Sequence, residues 1–333
     1  MRALVLAIVL AGCVGDPEVA AFDPDDVHLG DEPDDLPDGL VAGTVRVVQM
    51  NPYYAGRLAP YNEHANSCSA TSECGVSGRR ACTMASQEGC WECIDHACRQ
   101  RTYETAKHAA GLVDAIRADV VGIQELDPAF APRIAQILAQ ATGATWDYRV
   151  SAQGIGGRGS GVGVYWRADR ISLVADLGHV DVDTLASGYI VRFHGVILSP
   201  KGTTKQFGFF SGKLDWNKGE GDRRTAEARR LRSWIDARLA EHGVKTRIVA
   251  SDFNDTIGSN AYDVFADYDD GDAIKPTVRG LDPDRRIDYL LWADGAAGAS
   301  RQGFATARSD RRLGRSEFFG SDHRFVYGDA RVP

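Results

Sequence analysis

Five short segments, each at or just after an expected strand end, set a carboxylate, an amide or an imidazole next to apolar residues. The five are Gln49-Met50-Asn51, Ile123-Gln124-Glu125, Ser251-Asp252-Phe253-Asn254, Arg286-Ile287-Asp288-Tyr289 and Gly320-Ser321-Asp322-His323. Singly, each has an ordinary explanation, because an Asp or Asn after a strand caps a helix or shapes a turn. Their repetition constrains the fold more than any other feature.

The hydrophobic pattern around these runs is mixed. The globular part begins near Thr44, and Val45 to Met50 alternates in a strand-like way. Tyr103 to Arg117 reads as a helix with Ala106, Ala109, Ala110, Val113 and Ile116 on one side. Val120 to Ile123 is a short buried strand and Arg133 to Ala141 a helix. Four strands are expected between about 146 and 198. In the clearest, Tyr189, Val191, Phe193 and Ile197 share a face. Phe207 to Phe210 is a further strand. Asp222 to Glu241 is a strongly amphipathic helix carrying Leu231, Trp234, Ile235 and Leu239 on its apolar side. Arg247–Ala250, Arg286–Trp292 and about 323–327 close the series of strands. With 44% hydrophobic and 25% charged residues, a sizeable core is available. Many antiparallel-looking strands with intervening helices indicate an α+β fold.

The first residues read as an export signal. Arg2 precedes the apolar run Ala3 to Leu10, which is far short of the roughly 20 residues of a spanning helix. Leu10-Ala11-Gly12-Cys13 resembles the bacterial lipoprotein processing box, so residues 1–13 are expected to be a signal peptide with a lipidated Cys13. An ordinary signal peptide cut nearby is the alternative. Residues 14–43, rich in Asp, Pro and Gly, are expected to be an acidic disordered tether. Export places Cys68, Cys74, Cys82, Cys90, Cys93 and Cys98 in an oxidising compartment. Their even count and density within 60–100 imply a disulfide-rich insertion. A zinc site is the rival reading, but Cys90-Trp91-Glu92-Cys93 is the one tight pair and zinc knuckles need two. Fifteen connectivities fit six cysteines, and the sequence does not select one.

Taken in order, the Asn, Gln-Glu, Asp-Phe-Asn, Ile-Asp-Tyr and Ser-Asp-His segments resemble the endonuclease/exonuclease/phosphatase superfamily, which includes pancreatic-type deoxyribonucleases and neutral sphingomyelinases. The resemblance covers about residues 44–328, interrupted by the Cys-rich insertion, and the domain is placed at 44–330. It implies a four-layer α/β/β/α sandwich of two packed β-sheets flanked by helices, with the site at one edge where strands of both sheets end. It also implies a metal-dependent phosphodiesterase. Mg2+, with Mn2+ or Ca2+ as alternatives, suits hard oxygen ligands at a phosphoryl centre. Glu125, Asn51 and Asp322 are the expected metal ligands. Asp252 and Asn254 are expected to activate and orient water, and His323 paired with Asp288 to serve as acid/base group or phosphoryl-oxygen contact. Where the family has Asn-Thr-His-Leu, this chain has Ser211-Gly212-Lys213-Leu214. Lys213 is therefore expected to take the histidine's contact to phosphate. Ser251 and Tyr53 are further departures from the pattern.

The net charge of −8 speaks against a dedicated nucleic-acid binder, but a metal can offset a local carboxylate cluster. Basic residues gather at Lys201, Lys205, Lys213, Lys218, Arg223 and Arg224, and again at Arg308, Arg311, Arg312 and Arg315. Either group suits a polyanionic backbone or is simply a solvated loop. Hydrolysis of extracellular nucleic acid is the leading expectation. A sphingomyelinase-like phospholipase, a phosphatase and a non-catalytic binding module are the alternatives. No feature points to a protein partner. A monomer, touching membrane only through its lipid anchor at the cell envelope or cell surface, is expected.

Overall fold

The computed structural model describes residues 27–28, 44–52, 69–75, 81, 91–94, 97–100, 109–126, 128–152, 161–217, 219–270, 277, 285–293, 303–307, 323 and 325–332. The expected lipid site at Cys13 and the expected metal ligand Asp322 lie outside these residues. So do Lys218, the second basic cluster and Cys68, Cys82 and Cys90.

In chain order the strands are β1 (Val27–His28), β2 (Thr44–Met50), β3 (Trp91–Ile94), β4 (Ala97–Gln100), β5 (Val120–Leu126), β6 (Trp146–Ala152), β7 (Gly161–Arg167), β8 (Ile171–Thr184), β9 (Ile190–Pro200), β10 (Phe207–Lys213), β11 (Arg247–Asp252), β12 (Asp288–Ala293), β13 (Gly303–Ala307) and β14 (Phe325–Arg331). The helices are α1 (residues 109–115), α2 (Ala131–Thr142), α3 (Gly221–His242) and α4 (Asn260–Asp263). A seven-stranded sheet runs β1-β13-β14-β2-β5-β7-β6 and a five-stranded sheet β12-β11-β10-β9-β8. Each holds one parallel pair, β2 with β5 and β10 with β11, and is otherwise antiparallel. A parallel pair needs a crossover, which is normally helical. Residues 109–115 lie in the first crossover and α3 fills the second. Helices α2 and α3 both stop at a glycine, Gly143 and Gly243, in the left-handed region that an L side chain resists.

Strand alternation sorts the core into three seams. Val45 and Val47 of β2 join Val120, Phe207, Phe209, Ile248 and Leu290 between the two sheets. Val48 and Met50 face the other way and pack with Leu112, Ile116, Ile134 and Leu138 of α1 and α2 and the turn after α1. On the far side, Val191, Phe193, Ile197 and Phe210 pack on Leu231, Ile235 and Leu239 of α3. The result is the expected α/β/β/α sandwich. The sheets come close at Gly122, where an added Cβ would stand 2.7 Å from Ala250 Cβ.

Two further regions are partly described. Within the stretch expected to be a tether, Val27–His28 pair with β13 at the sheet edge. Within the Cys-rich insertion, β3 and β4 form a hairpin, and Cys74 is bonded to Cys98. Cys93 is also disulfide-bonded. The basic run around α3 is drawn into internal pairs. Arg224 is buried against Asp255 and two backbone carbonyls, Arg223 pairs with Asp183, and Lys205 donates to Val332 O.

Candidate active site

Strand parity brings the polar groups together. On β2, β10, β11 and β12 the inter-sheet face carries the apolar seam and ends, at one edge, in Asn51, Lys213, Asp252 and Asp288. These four are fully or almost fully buried. Glu125 breaks the rule. By alternation it belongs with Val121 and Ile123 on the helix side. A register shift in the β5–β7 ladder between Ile123 and Leu126, together with φ +54° at Glu125, turns its carboxylate into the inter-sheet edge instead. A non-glycine residue there is held against about 1 kcal/mol or more of backbone strain, a cost that concentrates at functional sites.

The contacts form one connected set. His323 Nδ1 lies 2.8 Å from Asp288 Oδ2, and its Nε2 faces Asp252 Oδ2 at 4.0 Å. Asn51 Nδ2 donates to Glu125 Oε1 at 3.3 Å and to Asp252 Oδ2 at 3.2 Å, and lies 3.4 Å from His323 Nε2. Lys213 Nζ is 2.5 Å from Glu125 Oε1 and 5.0 Å from the centre of the Trp216 ring. Asn254, with φ +51°, donates its backbone N–H to Asp252 Oδ1 at 2.9 Å and its side-chain amide to Leu214 O at 3.0 Å. Asn254 therefore ties the loop after β10 to the end of β11.

A layer of buried amides lies beneath. Gln49 Nε2 donates to Asp288 Oδ1 and to Gln124 Oε1, both at 2.8 Å, and Gln124 Nε2 donates to Ser211 Oγ at 3.1 Å. Thr277 Oγ1 accepts from the backbone N–H groups of Ile287 and Asp288. None of Gln49, Gln124, Ser211 and Thr277 was among the expected site residues. The signal for the first two was present, since a glutamine inside an otherwise apolar strand needs a buried partner. Thr277 stands in no recognisable pattern.

The electrostatics follow from burial. Asp252 is pushed up to about 7, first by burial and then by the neighbouring Asp288 carboxylate, against the pull of His323 and Lys213. Burial also works to raise Glu125, but Lys213, His323 and Asn51 together outweigh it and hold that carboxyl below its usual range. Burial disfavours the Lys213 ammonium, yet Glu125, with Tyr189 and Asp252 behind it, raises it well above a free lysine. The arrangement also suits a hard divalent cation. Glu125 Oε2 is buried without a hydrogen-bond partner among the described residues. Asp252, Asp288 and His323 present ligand atoms within 4.8 Å of one another. An unpaired buried carboxylate oxygen beside such a cluster is the donor chemistry Mg2+ takes.

A second buried histidine lies away from this set. His194 Nδ1 meets Ser151 Oγ at 2.7 Å, and burial pushes the imidazole down to about 4 despite Asp176 nearby.

The model for the "Endonuclease/Exonuclease/phosphatase family" matches residues 98–323. No curated protein matches the sequence. Among solved structures, the human Nocturnin catalytic domain with bound sulfate is 15% identical, with a TM-score of 0.56, covering 88% of this chain and 95% of that one. Danio rerio TDP2 complexed with single-strand DNA product is 15% identical, with a TM-score of 0.55, covering 86% and 98%. A Bacteroides thetaiotaomicron mannosyl-6-phosphatase is 17% identical, with a TM-score of 0.52, covering 67% and 89%.

Proposed function

We propose, from the premise that this chain belongs to the endonuclease/exonuclease/phosphatase family, that it is a divalent-metal-dependent phosphodiesterase acting on nucleic acid outside the cell. Phosphoester hydrolysis is the general chemistry of that family. The observation that carries the reading is the buried Asp288–His323 pair facing Asp252, with the free oxygen of Glu125 beside it.

The side chains divide the work as follows. Asp288, gripped by Gln49 and by the backbone N–H bond to Thr277, accepts from His323 Nδ1–H and so fixes the tautomer. His323 Nε2 is then left to face the phosphoryl group. Asp252, with raised proton affinity, takes a proton from the attacking water. Asn254 holds Asp252 through its backbone N–H and is a positioning residue. Asn51 links Asp252 to Glu125, so base and metal ligand move together. Glu125 would hold the cation, with Asp322 as the further carboxylate that the sequence suggests. Mg2+ held there would offset charge on the phosphoryl oxygens.

The TDP2 structure, solved with a single-strand DNA product, supports a nucleic-acid substrate. A phosphomonoester is the second reading, favoured by the mannosyl-6-phosphatase likeness. Export by the lipoprotein route, which the sequence around Cys13 suggests, would place the activity at the cell envelope. The test is hydrolysis of plasmid DNA, RNA, bis-p-nitrophenyl phosphate and p-nitrophenyl phosphate in Mg2+, with and without EDTA. The diesters should be cleaved faster than the monoester. EDTA should abolish turnover, and Asp252→Ala and His323→Ala should each reduce it by at least about 100-fold. Faster monoester cleavage would replace the substrate class, and inertness toward all four would overturn the reading.

A further inference from the structure

We infer that Lys213 is a built-in counter-cation that holds Glu125 in the metal-free protein and competes with the divalent ion for it. The inference rests on Glu125 being a metal ligand in the reading above. Three observations point to it. Lys213 and Glu125 are 6% and 7% exposed, and their charged atoms are 2.5 Å apart across the two sheets. Glu125 Oε1 is engaged twice, by Lys213 and by Asn51, whereas Oε2 has no partner among the described residues. The ammonium also lies 5.0 Å from the centre of the Trp216 ring.

The consequence is a trade between two cations. A buried ion pair is balanced only while both members are present, and removing one leaves an uncompensated charge. Without metal, the Lys213 ammonium is in direct contact with Glu125 and offsets its charge. A divalent ion on Oε2 would share the same carboxylate with the ammonium, and like charges at that range repel strongly in a poorly solvated place. Lys213 therefore stabilises the metal-free protein and weakens its hold on metal. Replacing it with a neutral group of similar length should reverse both effects, because Glu125 then loses the cation in contact with it and gains a direct counter-charge from the ion.

The experiment is Mn2+ titration by calorimetry, together with thermal melting in EDTA and in Mn2+, and needs no substrate. Lys213→Met should bind Mn2+ at least about 10-fold more tightly than the wild type. It should melt lower in EDTA and gain more from added Mn2+. Lys213→Arg, which keeps the charge, should stay near the wild type in affinity. Lys213→Met combined with Glu125→Gln removes both charges, so it should recover melting temperature in EDTA and lose Mn2+ binding. It also keeps the test informative if the single Met variant folds poorly. Equal Mn2+ affinity in wild type and Lys213→Met, or no binding by either, would overturn the inference. EDTA-sensitive phosphoester hydrolysis alongside equal affinities would leave the proposed activity standing.

Discussion

Glu227 offers a stability test whose size can be worked from the structure. It projects from α3 and is fully buried beside Asp215, also fully buried. Its Oε2 accepts from the Asp215 backbone N–H at 2.9 Å. Its Oε1 and Asp215 Oδ2 have no hydrogen-bond partner among the described residues. Burial first, then the Asp215 and Asp183 carboxylates, push Glu227 from 4.5 up to about 7, against Arg223. At pH 4 the group is protonated in both folded and unfolded chains and the effect is nil. Between about 4.5 and 7 the unfolded chain ionises it while the folded chain holds it neutral, so stability falls as pH rises, and above about 7 the loss is complete. At about 1.4 kcal/mol per tenfold change in proton affinity, that interval is worth about 3 kcal/mol. Solvent screens little of it, because the side chain is fully buried. Glu227→Gln keeps the acceptor for Asp215 and cannot ionise. The variant should match the wild type at pH 4.5 and exceed it by about 3 kcal/mol at pH 8, several degrees in melting temperature for a chain this size. Urea unfolding at both pH values reads the difference directly. A variant that is equally or less stable at pH 8 would refute the reasoning, and would show that Arg223 keeps Glu227 ionised in the fold.

Two further outcomes are expected. Asp288→Asn preserves shape but lets the Nδ1-facing atom donate rather than accept. His323 should then switch tautomer and turnover fall by about 10²–10⁴-fold with the fold retained, as comparison of steady-state rates and circular dichroism would show. Gly122→Ala forces a methyl to 2.7 Å from Ala250 Cβ across the sheet interface, and should cost about 1–3 kcal/mol in thermal melting.

Most of the architecture was legible along the chain because it is written in local periodicity. Alternation marked β2 and β9, and the 3.6-residue repeat through Leu231, Ile235 and Leu239 marked α3. The boundaries were less legible. Arg286 and Ile287 were expected in the strand that begins at Asp288, because apolar pattern does not reveal where ladder bonds start. The pairing of His323 with Asp288 was expected from the resemblance and is matched by their 2.8 Å contact. How the cysteines pair was left open, and the fold joins Cys74 to Cys98.

What local pattern could not carry is direction and partnership across the two sheets. Alternation assigns Glu125 to the helix side. The register shift and left-handed backbone that turn it toward Lys213 arise from how β5 meets β7, a neighbour 35 or more residues downstream. Lys213 read as a phosphate contact because it stands where the family resemblance has a histidine. Its counter-ion is 88 residues away on the opposing sheet. Gln49 and Asp288 are 239 residues apart yet share a hydrogen bond. A side chain's type and spacing settle whether it can be buried. The charge it meets there depends on which strands the fold sets face to face.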